Sequence, residues 1–147
     1  MTGDYTLQDM GINLVEDCRT WASALPPGDV RNAVVDALQG CTSCRVQEAT
    51  RNHTTIGYAM YSFDVLGAHL HHVYVTPVER RKGLATRLFR AFLVDMDRAW
   101  CEGQSATVST FPKTEDGRAL AKHLGFALTS EEVYEYVHNG SPSGAHQ

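Results

Sequence analysis

The sequence lacks several features that would assign it to a special class of protein. No run of about 18 apolar residues is present, so no transmembrane helix is expected. The first residues contain no basic stretch followed by an apolar run, so we expect no secretory signal and a cytoplasmic location. There is no excess of basic residues, because the net charge is −4. Nucleic acid and membrane surfaces are therefore not expected as partners.

Cysteine is scarce as well, with four residues in a chain of 147. Cys41 and Cys44 form an isolated C-x-x-C, without a second cysteine pair or histidines at zinc-ligand spacing. The strand-to-helix setting of a thioredoxin-like motif is also missing. We therefore interpret these cysteines as free thiols in a turn, and we predict no metal site.

The composition that remains is that of an ordinary globular domain, with 43% apolar and 20% charged residues. Helices are predicted where apolar residues recur every three to four positions, and strands where β-branched and aromatic residues cluster. The predicted helices cover residues 10–25, 30–38, 84–101 and 115–124, with Asp9 as the cap of the first. The predicted strands cover residues 4–8, 44–50, 54–65, 68–75, 105–111 and 126–138, with a hairpin turn at 51–53.

This order of elements predicts one mixed α/β sheet with helices on its faces. The length fits a single domain, which we place at residues 1–138. The polar segment 139–147 is predicted to be a disordered tail.

The segment VYVTPVERRKGLAT (residues 73–86) places a strand end, a basic loop and a helix start in succession. Backbone N–H groups at a helix start are unpaired and carry partial positive charge, so such a terminus binds phosphate well. Gly83 and Ala85 let a phosphate approach the backbone, and Arg80, Arg81 and Lys82 add charge. The loop therefore predicts a site for a phosphorylated ligand. The alternative is a solvated basic turn, since neither GxxxxGK[ST] nor GxGxxG is present.

Two motifs resemble the GNAT family of N-acetyltransferases. The R-x-x-G-x-A at residues 80–85 resembles the Gln/Arg-x-x-Gly-x-Gly/Ala signature of that family and follows a strand that ends in V-x-V-x-P. ALAKHLGF at residues 119–126 resembles the second motif, a helix ending in Leu-Gly-Phe. The resemblance covers roughly residues 44–138. It implies the GNAT fold, a central mixed sheet of six to seven strands flanked by about four helices.

The resemblance also implies the activity and the partners. A GNAT enzyme moves an acetyl group from acetyl-CoA to a primary amine, which is here a small molecule or a protein. GNAT proteins often form dimers, so a homodimer is compatible with the resemblance. In this family the loop amides hold the pyrophosphate of coenzyme A, the strand before the loop pairs with pantetheine, and a backbone N–H near Val75 polarises the thioester carbonyl. The implied cofactor-binding residues are Val73, Tyr74, Val75, Arg80, Arg81, Lys82, Gly83, Leu84, Ala85 and Thr86.

The transfer needs a base, because an ammonium group with a pKa of about 10 must lose its proton before it attacks. His69 and His71 are expected to share a strand face with Val73 and Val75, with His72 on the opposite face. We predict His69 and His71 as the catalytic base, acting directly or through a water. The pair resembles one on the same strand of serotonin N-acetyltransferase, where it helps to remove the proton of the amine. The alternative is buried histidines without a catalytic role.

The sequence departs from the family at Ala121. Many members have a tyrosine at this position, which protonates the leaving thiolate. Water, Tyr74, Tyr134, Tyr136 or His123 are the alternatives for that role. The departure favours a second interpretation, a non-catalytic domain that binds acyl-CoA as a sensor or as part of a complex. A third is an unrelated α/β interaction domain whose basic loop binds another anion.

Overall fold

The computed structural model describes residues 5–12, 14–39, 43–64, 67–98, 105–130 and 133–139. The strands are β1 (Thr6–Asp9), β2 (Arg45–Arg51), β3 (Thr54–Asp64), β4 (Gly67–Val75), β5 (Ser105–Thr110), β6 (Ala127–Ser130) and β7 (Val133–Asn139). The helices are α1 (Val15–Ala24), α2 (Asp29–Ala37), α3 (Leu84–Met96) and α4 (Glu115–His123), with a 3-10 turn at Pro77–Glu79. The predicted mixed α/β fold is confirmed.

The seven strands form one sheet in the order β1-β2-β3-β4-β5-β7-β6. All neighbours pair antiparallel except β4 and β5, which are parallel. Parallel neighbours need a crossover, which α3 supplies. The predicted β2–β3 hairpin is confirmed: it turns at Asn52 and His53, whose φ angles of 53° and 63° are those of a two-residue type I′ turn.

Each face of the sheet is covered by one pair of helices. Leu88 and Phe92 of α3 and Ala121 of α4 belong to the hydrophobic cluster on one face. Cys18 of α1 and Val34 of α2 belong to the cluster on the other face. The α1/α2 layer and the α3/α4 layer thus enclose the sheet between them.

Helix α3 approaches the sheet closely above Gly57 of β3. A Cβ at Gly57 would lie 2.8 Å from the carbonyl oxygen of Tyr74 and 3.3 Å from a methyl group of Leu88. Glycine is therefore required at this position by the close packing of the helix on two strands.

A polar network beneath α3 ties the C-terminal half of that helix to β2 and β3. Asp95 accepts hydrogen bonds from Arg45 at 2.9 and 3.0 Å and from the Tyr61 hydroxyl at 2.7 Å. Gln47 donates to the same tyrosine oxygen at 3.0 Å. Burial raises the pKa of Tyr61, so its hydroxyl stays protonated and donates to the carboxylate.

Two predictions about individual elements are wrong. Asp9 ends β1 and accepts a hydrogen bond from the Gly11 N–H at 2.8 Å, while α1 begins after Leu14 without a side-chain cap. The predicted strand at 126–138 is a hairpin of two strands, because polar residues after Leu128 interrupt the apolar run.

Other predictions reach beyond the described residues. The α-helical part of α3 ends at Met96, and the predicted remainder of the helix falls partly at residues 99–101, outside the described ranges. Cys41 and residues 140–147 also lie outside them. Cys44 is fully buried next to β2 rather than in an exposed turn, with its Sγ 3.5 Å from the Sγ of Cys18, and both thiols are unbridged.

Candidate active site

Strands β4 and β5 diverge towards the C-terminal end of β4. Among the described residues their backbones pair at two positions, Ala68 with Val108 and His69 with Ser109. The Thr110 hydroxyl adds a hydrogen bond to the β4 backbone at 2.9 Å. Beyond this point the strands enclose a cleft of about 500 Å³. The cleft is the candidate active site, since concave sites in α/β folds lie where neighbouring strands diverge.

The walls of the cleft come from both faces of the sheet. The C-terminal end of α2 contributes Asp36 and Gln39, which are exposed. The loop after β5 and helix α4 form the opposite wall. The floor is the β4 segment His69, Leu70, His71, His72 and Val73.

A β-bulge shapes the β4 side of the cleft. Met60 pairs with His72 and the next residue, Tyr61, pairs with Leu70, so His71 is an extra residue on β4. A bulge bends its strand and shifts the alternation of side chains by one position.

The shift overturns part of the predicted face assignment. Val73 and Val75 pack in the α3/α4 layer together with Leu70, not on the face of His69 and His71. The His72 ring instead lies on the α1/α2 side, 5.6 Å from the Tyr58 ring and 6.2 Å from the Tyr74 ring. All three histidines of β4 line the cleft.

Three histidines around one cleft could supply ligands to a metal ion. The described residues nevertheless contain no group of three or more His, Cys, Asp or Glu side chains placed to hold a metal ion.

His69 and His71 lie side by side, as predicted, with ring centroids 6.5 Å apart. Each ring is held by a serine from a neighbouring strand. The Ser109 hydroxyl lies 2.6 Å from Nδ1 of His69, and the Ser62 hydroxyl lies 2.9 Å from Nε2 of His71. Sequence reasoning missed both serines, because only strand register brings them to the histidines.

The surroundings favour neutral imidazoles. Burial, followed by the charge of His69, lowers the pKa of His71 below the ordinary value of 6.5. Burial likewise lowers the pKa of His72, against a smaller opposing effect of Asp36. A neutral imidazole carries a lone pair, so these side chains are in the form that accepts a proton near pH 7.

The edge of β4 that faces the cleft has backbone groups available for an extended ligand. The Thr76 N–H donates to the Ile56 carbonyl at 2.9 Å and therefore points towards β3. Because backbone polar groups alternate along a strand, those of Val73 and Val75 point to the opposite side, towards the cleft. The Val75 carbonyl already accepts a hydrogen bond from Nε of Arg80 at 2.8 Å. The backbone groups that remain for a ligand are the N–H of Val75 and the N–H and carbonyl of Val73.

The loop between β4 and α3 presents a helix start without a side-chain cap. Gly83 precedes the helix in a left-handed conformation with φ 83°, and Arg81 has φ 64°. The first helical hydrogen bond runs from the Arg87 N–H to the Gly83 carbonyl at 3.1 Å. The N–H groups of residues 84–86 therefore have no helical acceptor, which is the geometry on which the predicted phosphate site depends.

The basic residues of the loop have different environments. Arg80 folds back on the strand, with its guanidinium 5.6 Å from the Tyr74 ring centroid in addition to its bond to the backbone. Arg51 lies 3.0 Å from the Glu79 carboxylate and donates hydrogen bonds that lower the pKa of the Glu79 carboxyl. Lys82 lies 3.8 Å from the same carboxylate. Arg80 thus braces the loop through its side chain.

No tyrosine is present among the described residues that line the cleft. Ala121 lines it and is buried. Tyr134 and Tyr136 belong to the α3/α4 cluster or pack against it. No tyrosine hydroxyl among the described lining residues therefore compensates for Ala121.

The fold described above is a seven-stranded mixed sheet with one parallel strand pair and two helices on each face. Solved structures share it at low sequence identity. A GNAT-family protein from Desulfovibrio desulfuricans has a TM-score of 0.61 and 15% identity, over 92% of this chain and 99% of that chain. The PaiA N-acetyltransferase from Thermoplasma acidophilum, solved with coenzyme A, has a TM-score of 0.58 and 12% identity, over 92% and 99%.

The family is established from the sequence. The model of the Acetyltransferase (GNAT) family matches residues 14–126, so the chain belongs to that family. A comparison with curated proteins gave no significant match. Another structure of the same fold, a KacTA–DNA complex, has a TM-score of 0.61 and 12% identity, over 91% of this chain and 93% of that chain.

None of the described helices has the length and apolarity that crossing a bilayer requires.

Proposed function

We propose that this protein transfers an acetyl group from acetyl-CoA to a primary amine. The observation that carries the proposal is the course of β4. This strand places three histidines at the cleft, continues through the open backbone groups of Val73 and Val75, and leads into the loop before the uncapped start of α3. Each part matches one need of the reaction: anion binding, alignment of the thioester and removal of a proton.

The basic loop and the start of α3 hold the pyrophosphate of the cosubstrate. The N–H groups of residues 81–86 supply the hydrogen bonds, and Arg81 and Lys82 supply charge. Arg80 contributes by fixing the loop to β4. The pantetheine arm pairs with Val73 and Val75, whose open backbone groups continue the sheet towards the cleft.

The chemistry takes place beside the histidines. His69 and His71 take the proton of the ammonium directly or through a water, and the lowered pKa of His71 favours its neutral form, which has a lone pair for that proton. The Val75 N–H polarises the thioester carbonyl as negative charge develops on its oxygen. The amine nitrogen then bonds to the carbonyl carbon, the carbon–sulfur bond breaks, and water protonates the thiolate because Ala121 provides no hydroxyl.

The acceptor is an amine, in a small molecule or a protein. The negative net charge of the chain suits a cationic acceptor better than a nucleic acid, although a structural neighbour was solved with DNA.

A second candidate function is acyl-CoA binding without turnover, as a sensor or as part of a complex. The observation that favours it is the buried Ala121 in a cleft without a tyrosine among its described lining residues. Both candidates require the same cosubstrate site and differ only in catalysis.

The decisive first experiment is isothermal titration with acetyl-CoA of the wild type and of a Gly83→Glu variant. A carboxylate at this position faces the phosphates and strains a residue with φ 83°. Gly11→Glu is the matched control. Gly11 has φ 68°, and a Cβ added there likewise meets no atom within 4 Å, but the residue lies far from the loop in sequence. We expect binding by the wild type and by Gly11→Glu, and loss of binding by Gly83→Glu.

Turnover separates the two candidates. Release of free thiol is measured with a panel of small amines, polyamines, peptides and protein lysines, using the wild type and His71→Ala. Acetyl-CoA binding together with amine-dependent thiol release that His71→Ala abolishes supports the enzyme. Binding without turnover on the whole panel supports the sensor. A wild type that does not bind acetyl-CoA refutes both.

A further inference from the structure

Ser62 lies on β3, next to the strand β4 that carries the histidines. It is in register with His69 of β4, and only 9% of its surface is exposed. His71 lies two residues further along β4, and its ring reaches the Ser62 hydroxyl, with Nε2 at 2.9 Å. The contact is therefore a diagonal one across the strand pair, since the register pairs Ser62 with His69.

The hydrogen bond has a consequence for the other nitrogen of the ring. A neutral imidazole carries one N–H and one lone pair, and the partner of one nitrogen determines which form is present. When Ser62 accepts a hydrogen bond from Nε2–H, the lone pair is on Nδ1. When Ser62 donates to Nε2 instead, Nδ1 carries the proton and His71 cannot act as a base through it.

We propose that Ser62 is a positioning residue, whose hydroxyl accepts the Nε2–H of His71 and so leaves the Nδ1 lone pair for the proton of the acceptor amine. This inference rests on the proposed function, because only a base needs a defined lone pair. His71 lines the cleft while its Nε2 is bound to the neighbouring strand, so Nδ1 is the ring nitrogen that remains for a ligand.

The effect of Ser62 is separable from that of the neighbouring charges. The titratable side chains that line the same cleft are Asp36 of α2, His69 and His72 of β4, and Lys113 after β5. A serine carries no charge at neutral pH, so replacing it changes the tautomer of His71 without adding or removing a charge.

The test with the sharpest readout is NMR of protein labelled at histidine, because the two tautomers give different ring ¹⁵N and ¹³C shifts. The resonances of His71 are assigned by their loss in a His71→Asn variant. We expect the Nε2–H form in the wild type, a substantial Nδ1–H population in Ser62→Ala, and recovery of the wild-type form in Ser62→Thr, which keeps the hydroxyl. Ser130→Ala, on the exposed strand β6, is the control and should match the wild type.

Kinetics supply the second readout. We expect Ser62→Ala to lower kcat about tenfold with an unchanged Kd for acetyl-CoA, a part of the effect of a general base. Ser62→Thr should restore most of the rate. A wild-type His71 in the Nδ1–H form, or a Ser62→Ala variant with wild-type tautomer or wild-type kcat, overturns the inference.

Failure of the inference is distinguishable from failure of the proposed function. The tautomer of His71 in the wild type is measured without substrate, so it decides the inference even where no amine is acetylated or where Ser62→Ala does not fold. Absence of turnover with the expected tautomer refutes the enzyme but not the role of Ser62 in orienting the ring.

Discussion

Removing the carboxylate of Asp95 should destabilise the protein more than most single substitutions. Asp95 is 6% exposed and accepts two hydrogen bonds from Arg45 and one from Tyr61. In Asp95→Ala the Arg45 guanidinium loses the carboxylate that accepts two of its hydrogen bonds, while the Tyr61 hydroxyl keeps its bond from Gln47. Breaking a buried ion pair costs about 3–5 kcal/mol of unfolding free energy. Because Arg45 is partly exposed, we expect a loss of about 3 kcal/mol.

The loss is measured as the free energy of unfolding in urea and as the melting temperature. For a domain of this size, about 3 kcal/mol corresponds to a decrease in Tm of roughly 6–12 °C. Tyr61→Phe removes one hydrogen bond only and should cost about 1 kcal/mol. The double variant Arg45→Met, Asp95→Leu removes both charges, so it should be clearly more stable than Asp95→Ala.

The reasoning would be refuted by an Asp95→Ala variant within about 1 kcal/mol of the wild type, a loss typical of an exposed ion pair. A double variant as unstable as Asp95→Ala would show that lost packing, rather than the loss of the Asp95–Arg45 ion pair, causes the lower stability. A matched exposed acidic residue, Asp116 in the first turn of α4, provides the control, and Asp116→Ala should change stability little.

Two further predictions concern the strand and loop next to the cleft. Gly57→Ala should lower stability by about 1–3 kcal/mol in urea, because its methyl group would overlap the Tyr74 carbonyl; an unchanged midpoint would show that β3 and β4 can adjust to the methyl group. Glu79 has a lowered pKa because of Arg51, so its contribution to stability is present above the ordinary pKa of 4.5 and is lost as the pH falls through the lowered value. The wild type should therefore be more stable than Glu79→Gln at pH 7 and should converge with it under acid; a gap independent of pH contradicts this assignment.

The fold could be predicted from the sequence because its signals are local. The apolar repeat of α3 and the β-forming residues around the 51–53 turn each specify an element by the chain's own periodicity. The split of the last strand was not predicted, since Thr129 and Ser130 are compatible with both a strand and a strand end. Asp9 suits a helix cap by type, but its carboxylate serves the turn after β1 instead.

The candidate site could be predicted only as far as one strand and one loop. The placement of His69 and His71 together follows from spacing, and the uncapped start of α3 follows from the loop motif. The predicted face of Val73 was wrong. The bulge that changes it depends on the pairing of β3 with β4 and cannot be recognised from the spacing of residues in the sequence. Ser62 and Ser109 were missed for the same reason, since each lies on a different strand from the histidine it contacts.

The described backbone pairing of β4 with β5 is short, so side chains also connect the two parts of the sheet. Phe89 of α3 is one of these side chains, with its ring 5.5 Å from the ring of Phe126 and 5.2 Å from that of Tyr136. Phe126 also lines the cleft, so this aromatic cluster joins a wall of the cleft to the core of the α3/α4 layer. That wall is thus supported from the core by Phe89, which is not among the described lining residues.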